Sequence, residues 1–181
     1  MTTHRQVLQQ VVETLQQGNP QCAVLLAGSI LRGTEDSQSD IDLFVVVPEI
    51  NSFRAVLGRV VHSTDHVRVV QEQIEGIPVT MTCFDSALLR DMVRQPWRNY
   101  LFAKAGVLRD PLGIVGETQR AINEWYAAHP AVTAIWTEQE GRHAESKAAL
   151  RQGRQAALEF RSWEAFANHV DSLVRSGEAD S

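Results

Sequence analysis

Cysteine, long apolar runs and positive charge are all scarce in this sequence, and each shortage excludes a class of protein. Two cysteines, Cys22 and Cys83, occur in 181 residues, both inside apolar runs. Without metal-type spacing they read as buried thiols of a reduced protein, not as a disulfide framework or a zinc site. No stretch approaches the roughly 18 consecutive apolar residues of a membrane-spanning helix, and Met1-Thr2-Thr3-His4-Arg5-Gln6 lacks the apolar run of a signal peptide. A soluble, cytoplasmic protein is therefore expected. Lysine and arginine number 17 against 22 aspartates and glutamates, for a net charge of -5. That deficit argues against a broad nucleic-acid footprint, which needs several cations to neutralise phosphates, and favours a small-molecule or protein partner. An internal repeat and a Walker-type phosphate loop are missing too. At this length the chain accommodates one compact core and at most one small appended domain.

What is present is concentrated between Gly28 and Val47, reading GSILRGTEDSQSDIDLFVVV. The apolar run Cys22 to Ala27 ahead of it reads as a buried strand entering a tight turn. Gly28 permits close backbone approach, and Ser29 stands where a helix can begin, so its hydroxyl and the first-turn N–H groups can receive a phosphate oxygen. Arg32 brings a permanent positive charge one helical turn later, and Gly33 ends the turn. The polar run Thr34 to Ser39 leads into Asp40-Ile41-Asp42-Leu43-Phe44-Val45-Val46-Val47, a strand by its β-branched content. Alternation places Asp40 and Asp42 on one face and Ile41 and Leu43 on the other. Two carboxylates about 6 to 7 Å apart repel by about 2 to 3 kcal/mol at an effective dielectric near 20, a cost that a divalent cation removes. All-oxygen ligation favours magnesium or manganese, with phosphates and water completing the shell. The combination points to metal-assisted phosphoryl or nucleotidyl chemistry.

Gly28-Ser29, Arg32-Gly33 and, after five residues, Ser39-Asp40-Ile41-Asp42-Leu43 resemble the signature of the polymerase-β-like nucleotidyltransferase superfamily, in particular its minimal and aminoglycoside-type branches. The resemblance implies that Gly28 and Ser29 hold nucleotide phosphates and that Asp40 and Asp42 are the catalytic metal ligands. Ser39 is carried over with the phosphate-binding set. Arg32 belongs to the motif as well, either touching phosphate or pinning the loop to a carboxylate. A third carboxylate usual on a following strand is not evident: Val79-Thr80-Met81 stands at the equivalent place, and Thr80 is neutral. Glu72, Glu75 and Asp85 remain open as substitutes.

Elsewhere the pattern supplies packing. Thr3 caps a helix with Val7, Val11, Val12 and Leu15 on one face, ended by Gly18-Asn19-Pro20. Asn51 or Ser52 is expected to cap a second helix through Phe53, Val56, Leu57, Val60 and Val61. His66 to Gln73 and Ile77 to Phe84 form a hairpin about Glu75-Gly76. Asp85-Ser86 caps a helix through Val93, Pro96 begins another through Ala103, and Gly106 to Pro111 is a short extended piece with a stop. From Glu117 the spacing is helical, with Ile122, Trp125, Tyr126, Val132, Ile135, Trp136, Leu150, Ala157, Leu158, Phe160, Trp163, Phe166, Val170 and Leu173. Breaks are expected at His129-Pro130 and at Gly153, and the polar tail from Ser176 is expected to fray. Trp97, Trp125, Trp136 and Trp163 are assigned to the core at that spacing.

The expected fold is α/β: a small mixed sheet of four or five strands flanked by helices, residues 1–105, followed by a helical domain, residues 106–181. The expected function is transfer of a nucleoside monophosphate, AMP from ATP, to a hydroxyl of a small molecule or protein. Glu138, Glu140 and Glu145 are candidate general bases by residue type. A rival reading, carried by Thr80, is a weak or inactive nucleotide-binding regulator or antitoxin-type partner.

Overall fold

The computed structural model describes residues 3–154 and 162–180. The chain divides into two compact units, Met1–Arg94 with Leu101–Arg120, and Gln95–Tyr100 with Ala121–Ser181.

The first unit is built on a six-stranded mixed sheet. In chain order it contains helix α1 (His4–Gly18), strand β1 (Ala23–Ala27), the short helix α2 (Gly28–Arg32), β2 (Ile41–Val47), β3 (Arg59–Ser63), β4 (Val67–Ile74), β5 (Ile77–Asp85), helix α3 (Ser86–Arg94) and strand β6 (Gly106–Arg109), with helix α4 (Tyr100–Lys104) just before that last strand. The strand order is β3-β4-β5-β2-β1-β6. Only β2 and β5 run parallel; every other neighbouring pair is antiparallel.

Helix α1 begins where the Thr3 hydroxyl accepts a hydrogen bond from the Gln6 amide while Gln6 Oε1 accepts one from the Thr3 amide, so two otherwise orphaned donors are satisfied together. Its buried Val7, Val11 and Leu15 cover one face of the sheet, meeting Val24, Ile41, Leu43, Val45, Val79, Met81 and Cys83. Burial of each such side chain contributes about 1.5 to 3 kcal/mol. On the opposite face Phe44, Phe84 and Phe102 meet edge to face, with centroids 5.7 to 6.1 Å apart. The β4–β5 hairpin turns as expected at Glu75 and Gly76, both at positive φ (50° and 85°), the geometry of a type I′ turn.

Two elements differ from expectation. The helix expected after Asn51 is only a single 3-10 turn, Ile50–Ser52, and Val60 and Val61 instead belong to edge strand β3 paired with β4. Residues 106–109, expected as a short extended piece opening the helical domain, are indeed extended but form β6 and pair with β1 through Leu26↔Gly106 and Leu25↔Val107. The sheet therefore has six strands, and the boundary is not at 105/106.

The second unit contains a 3-10 turn Pro96–Arg98, the rest of helix α5 (Ile114–Ala128), α6 (Pro130–Arg151) and α7 (Trp163–Ser176). Residues 95–100 belong here because the Trp97 carbonyl accepts from both Tyr126 Oη and Trp136 Nε1 (2.9 Å each), and Trp97 Nε1 donates to Asp171 Oδ1 (2.8 Å). That bond and Arg175 hold the Asp171 carboxyl below its ordinary range against desolvation. Trp136 is 1% exposed and stacks on Tyr100, as expected of a core residue. Helix α6 starts at Pro130, confirming the break at His129-Pro130. Ala157, Leu158 and Phe160 lie outside the described residues. The tail is more ordered than expected: Gly177 caps α7, Glu178–Asp180 form a 3-10 turn, and Ala179 is buried.

Candidate active site

The site is assembled by strand register. Ala27, the last residue of β1, lies opposite Asp42 on β2, so the chain leaving β1 passes directly beside the Asp42 carboxylate. It does so as Gly28, with φ 74°. A Cβ at this position would lie 2.8 Å from Asp42 Oδ2, closer than any side chain tolerates. Glycine is thus favoured by backbone conformation, and a side chain here would have to displace the Asp42 carboxylate. The Gly-Ser turn and the carboxylate, separated by the length of a loop in sequence, are adjacent in space.

Helix α2 continues from Gly28 with Ser29 half-buried and Arg32 exposed. It stops at Gly33, whose φ of 66° is left-handed and whose amide, with that of Thr34, closes onto the carbonyls of Ile30 and Ser29, a C-terminal cap that glycine favours. Asp40 precedes β2 and Asp42 is its second residue, both half-buried, while Ile41 and Leu43 are buried in the α1-covered core. Ser39 departs from expectation. It is 1% exposed, its hydroxyl donates to Asp36 Oδ1 (3.1 Å) and accepts from the Asp36 amide (2.9 Å), and its carbonyl accepts from His4 Nε2 (2.9 Å). Ser39 fastens the loop ahead of Asp40, and its hydroxyl is already committed within the protein.

A family model described as "Nucleotidyltransferase domain" matches residues 8–82, a span that runs from α1 to β5 and contains Gly28, Asp40, Asp42 and Thr80. Over these residues, less than half of its length, the chain is similar to a nucleotidyltransferase domain. A search of curated proteins returns no match. Among solved structures the chain is similar to a nucleotidyltransferase-like protein from Exiguobacterium sibiricum 255-15, with 11% identity and a TM-score of 0.43 over 94% of this chain and 58% of that one. It is also similar to a cytoplasmic RNA terminal U-transferase, with 15% identity and a TM-score of 0.36 over 52% of this chain and 38% of that one. The chain thus spans less than two thirds of the length of either.

Within the matched span Thr80 pairs in register with Asp42 across the parallel β2–β5 ladder, so the two side chains share a face. The expected alignment of Val79-Thr80-Met81 is therefore geometrically right, and the position beside Asp42 is a hydroxyl. None of the three alternative carboxylates reaches it. Glu72 pairs with Val79, whose side chain is in the α1-covered core, so Glu72 projects from the other face of the sheet. Glu75 sits in the hairpin turn. Asp85 pairs with Val47 at the far end of the ladder, five residues or about 17 Å from Thr80 along the strand. There Asp85 organises the start of α3 instead. Its Oδ1 accepts from the amides of Ala87 and Leu88, and its Oδ2 lies 2.9 Å from His66 Nδ1. Burial pushes the Asp85 carboxyl up, but the His66 and amide hydrogen bonds outweigh it and leave it below its ordinary value; the same bond, then the Asp85 charge, raises His66.

Among the described residues no cluster of three or more metal-ligating side chains occurs, so a cation bound here would have the Asp40–Asp42 pair as its protein ligands. An all-oxygen pair beside a glycine cradle fits magnesium or manganese sharing its shell with a triphosphate. Both cysteines are buried free thiols, Cys83 pushed up to about 12 by desolvation and Cys22 raised by the same cause, which makes them inert. Of the glutamates considered as bases, Glu138 is on the exposed side of α6 in an ion pair with Arg142 (2.6 Å), and Glu140 and Glu145 belong to the same helix of the second unit. No helix among the described residues is long and apolar enough to cross a membrane.

Proposed function

We propose that the protein transfers AMP from ATP to a hydroxyl of a small molecule or a protein. The supporting observation is the approach of Gly28 to Asp42: a side chain at this turn would displace the carboxylate, and glycine leaves its backbone open to a phosphate. Gly28 and Ser29 bind the β- and γ-phosphates, with the Ser29 hydroxyl donating to a phosphate oxygen. Arg32 supplies positive charge to the same end of the triphosphate. Asp40 and Asp42 would hold magnesium or manganese, which would supply positive charge to offset that of the triphosphate and the departing pyrophosphate. The acceptor oxygen forms a bond to the α-phosphorus, the bond from that phosphorus to the bridging oxygen breaks, pyrophosphate leaves with the electron pair, and the hydroxyl proton passes to solvent. Ser39 and Asp36 keep the loop before Asp40 in place, which holds the carboxylate pair at the mouth of the turn.

A second reading is favoured by Thr80. With a hydroxyl beside Asp42 and no third carboxylate on that row, a cation next to the attacking group is held weakly, and the protein then serves as a nucleotide-binding regulator or antitoxin-type partner. Incubation with α-labelled ATP, magnesium and a panel of hydroxyl-bearing acceptors, followed by mass spectrometry for an added nucleotide, separates the two. Nucleotide bound with no acceptor modified supports the second; absence of binding removes both.

A further inference from the structure

The register continues beyond Thr80. Asp42 pairs with Thr80, Thr80 with Gln71 and Gln71 with Arg59, so these four residues form one row across β2, β5, β4 and β3 with side chains on the same face. The next row runs Phe44, Thr82, Val69, His62. On this face of β3–β5 the side chains are Arg59, His62, Val67, Val69, Gln71, Gln73, Pro78, Thr80, Thr82 and Phe84, and not one is a carboxylate. The hairpin's Glu72 belongs to the opposite face. Nor is the face sealed: Thr80 and Thr82 are half-buried, and Gln71, Arg59 and His62 are exposed.

We propose that Arg59 anchors an anionic group of the acceptor, a phosphate or carboxylate, while the acceptor lies over Thr80 and Gln71 with its hydroxyl at the Asp40–Asp42 pair. This rests on the nucleotidyl-transfer reading and names its substrate class. Three strand steps of about 4.8 Å put the Arg59 Cα roughly 14 Å from that of Asp42. Since an extended arginine covers several ångströms of that distance, the anion lies one or two sugar rings from the reacting oxygen. Guanidinium is suited to this role because its planar fork holds phosphate and carboxylate bidentately. A polycationic amino-sugar is disfavoured on this surface: it would meet a cation at Arg59 and no carboxylate on this face of the three strands, a repulsive arrangement of the kind that sets specificity. Two sources supply the chemistry, a free phosphorylated sugar and the phosphodiester chain of an oligonucleotide.

The test compares four acceptors with α-labelled ATP and magnesium: glucose 6-phosphate, glucose, a short oligoribonucleotide with a free 3′-hydroxyl, and kanamycin. The expected result is labelling of one or both phosphate-bearing acceptors at a kcat/KM at least tenfold above glucose and kanamycin; which of the two is labelled identifies the source. Arg59→Glu should lower that kcat/KM tenfold or more, chiefly through the acceptor KM, and Arg59→Lys should keep it within about threefold. Arg94→Glu, the same charge change on exposed α3, should leave it unaltered. The Kd for magnesium-ATP, measured by calorimetry, should be the same in all four proteins. Preference for kanamycin or glucose, an Arg59→Glu protein as active as wild type, or no labelling of any acceptor while magnesium-ATP binds overturns the acceptor assignment and leaves nucleotide binding standing. Failure of wild-type protein to bind magnesium-ATP overturns the reading beneath it as well.

Discussion

Replacing Gly28 by alanine separates a conformational cost from a contact at the site. At φ 74° an L-residue is strained by about 1 to 2 kcal/mol. The new Cβ would also lie 2.8 Å from Asp42 Oδ2, against 3.4 Å for an ordinary contact, so the carboxylate or the backbone must yield by roughly 0.6 Å, since repulsion rises steeply inside contact distance. Gly33→Ala is the control: its φ is 66°, yet nothing lies within 4 Å of a methyl placed there, so it bears the conformational cost alone. At about 2 to 4 °C per kcal/mol for a chain of this size, Gly33→Ala should melt roughly 2 to 8 °C below wild type and bind magnesium-ATP normally. Gly28→Ala should melt at least as low and lose about 10- to 100-fold in magnesium-dependent ATP affinity, the range seen when a ligand's supporting contact is disturbed. Differential scanning calorimetry and titration calorimetry read the two quantities separately. Equal ATP affinity in the two variants would refute the inference that Gly28 is needed for the position of Asp42.

Asp42→Asn removes a charged ligand at nearly constant volume; it should abolish transfer and make ATP binding insensitive to magnesium, and wild-type turnover in this variant would exclude the metal role. Ser29→Ala should weaken triphosphate binding by about 1.5 to 3 kcal/mol, one hydrogen bond to a charged oxygen, with AMP binding unchanged; equal loss for both nucleotides would move Ser29 away from the β- and γ-phosphates. The His66–Asp85 pair predicts a pH window. His66 is raised above 6.5, so its contribution is full below that value and disappears as pH climbs through the folded pKa; Asp85 is lowered below 3.8, so its contribution is full above that value and disappears as pH falls through its folded pKa. The stability difference between wild type and His66→Ala in urea should therefore be largest between these limits and shrink above neutrality; a difference that stays constant to about pH 9 contradicts the assignment.

Much of the first unit was legible because local and tertiary signals agree. Thr3, Gln6 and the spacing of Val7, Val11 and Leu15 all specify α1; Glu75-Gly76 between two alternating runs specifies the hairpin; Gly28 and Asp42 are identifiable from motif spacing alone. The failures have a common cause. Val56, Leu57, Val60 and Val61 satisfy helical spacing, but every side chain of β3 is exposed, so no alternation marks it as a strand and only pairing with β4 makes it one. Residues 106–111 read as a short extended piece, but four residues exposed at Val107 and Leu108 carry no alternation to say that they join the sheet beside β1. Ser39 sits inside a recognised motif, yet its partner is Asp36, a contact visible only once the loop closes. Gln71 and Arg59 escaped notice because a row across four strands is a matter of register, which the sequence of one strand does not carry.

That row makes Thr80→Asp a sharper test than motif alignment allowed. Position 80 is the lateral neighbour of Asp42 on a half-exposed face, so an aspartate there places two carboxylates about 5 Å apart. Their repulsion is about 3 kcal/mol at an effective dielectric near 20, and a divalent cation between them reverses its sign. The variant should therefore melt below wild type in chelator and recover most of the difference when magnesium is added, whereas wild type, with Thr80 neutral, should respond to magnesium far less. Nucleotide transfer at low magnesium should rise in parallel if turnover is limited by a weakly held cation near the attacking oxygen. Destabilisation of the same size in chelator and in magnesium would mean that the aspartate does not face Asp42, and the row from Asp42 to Arg59 would fail with it.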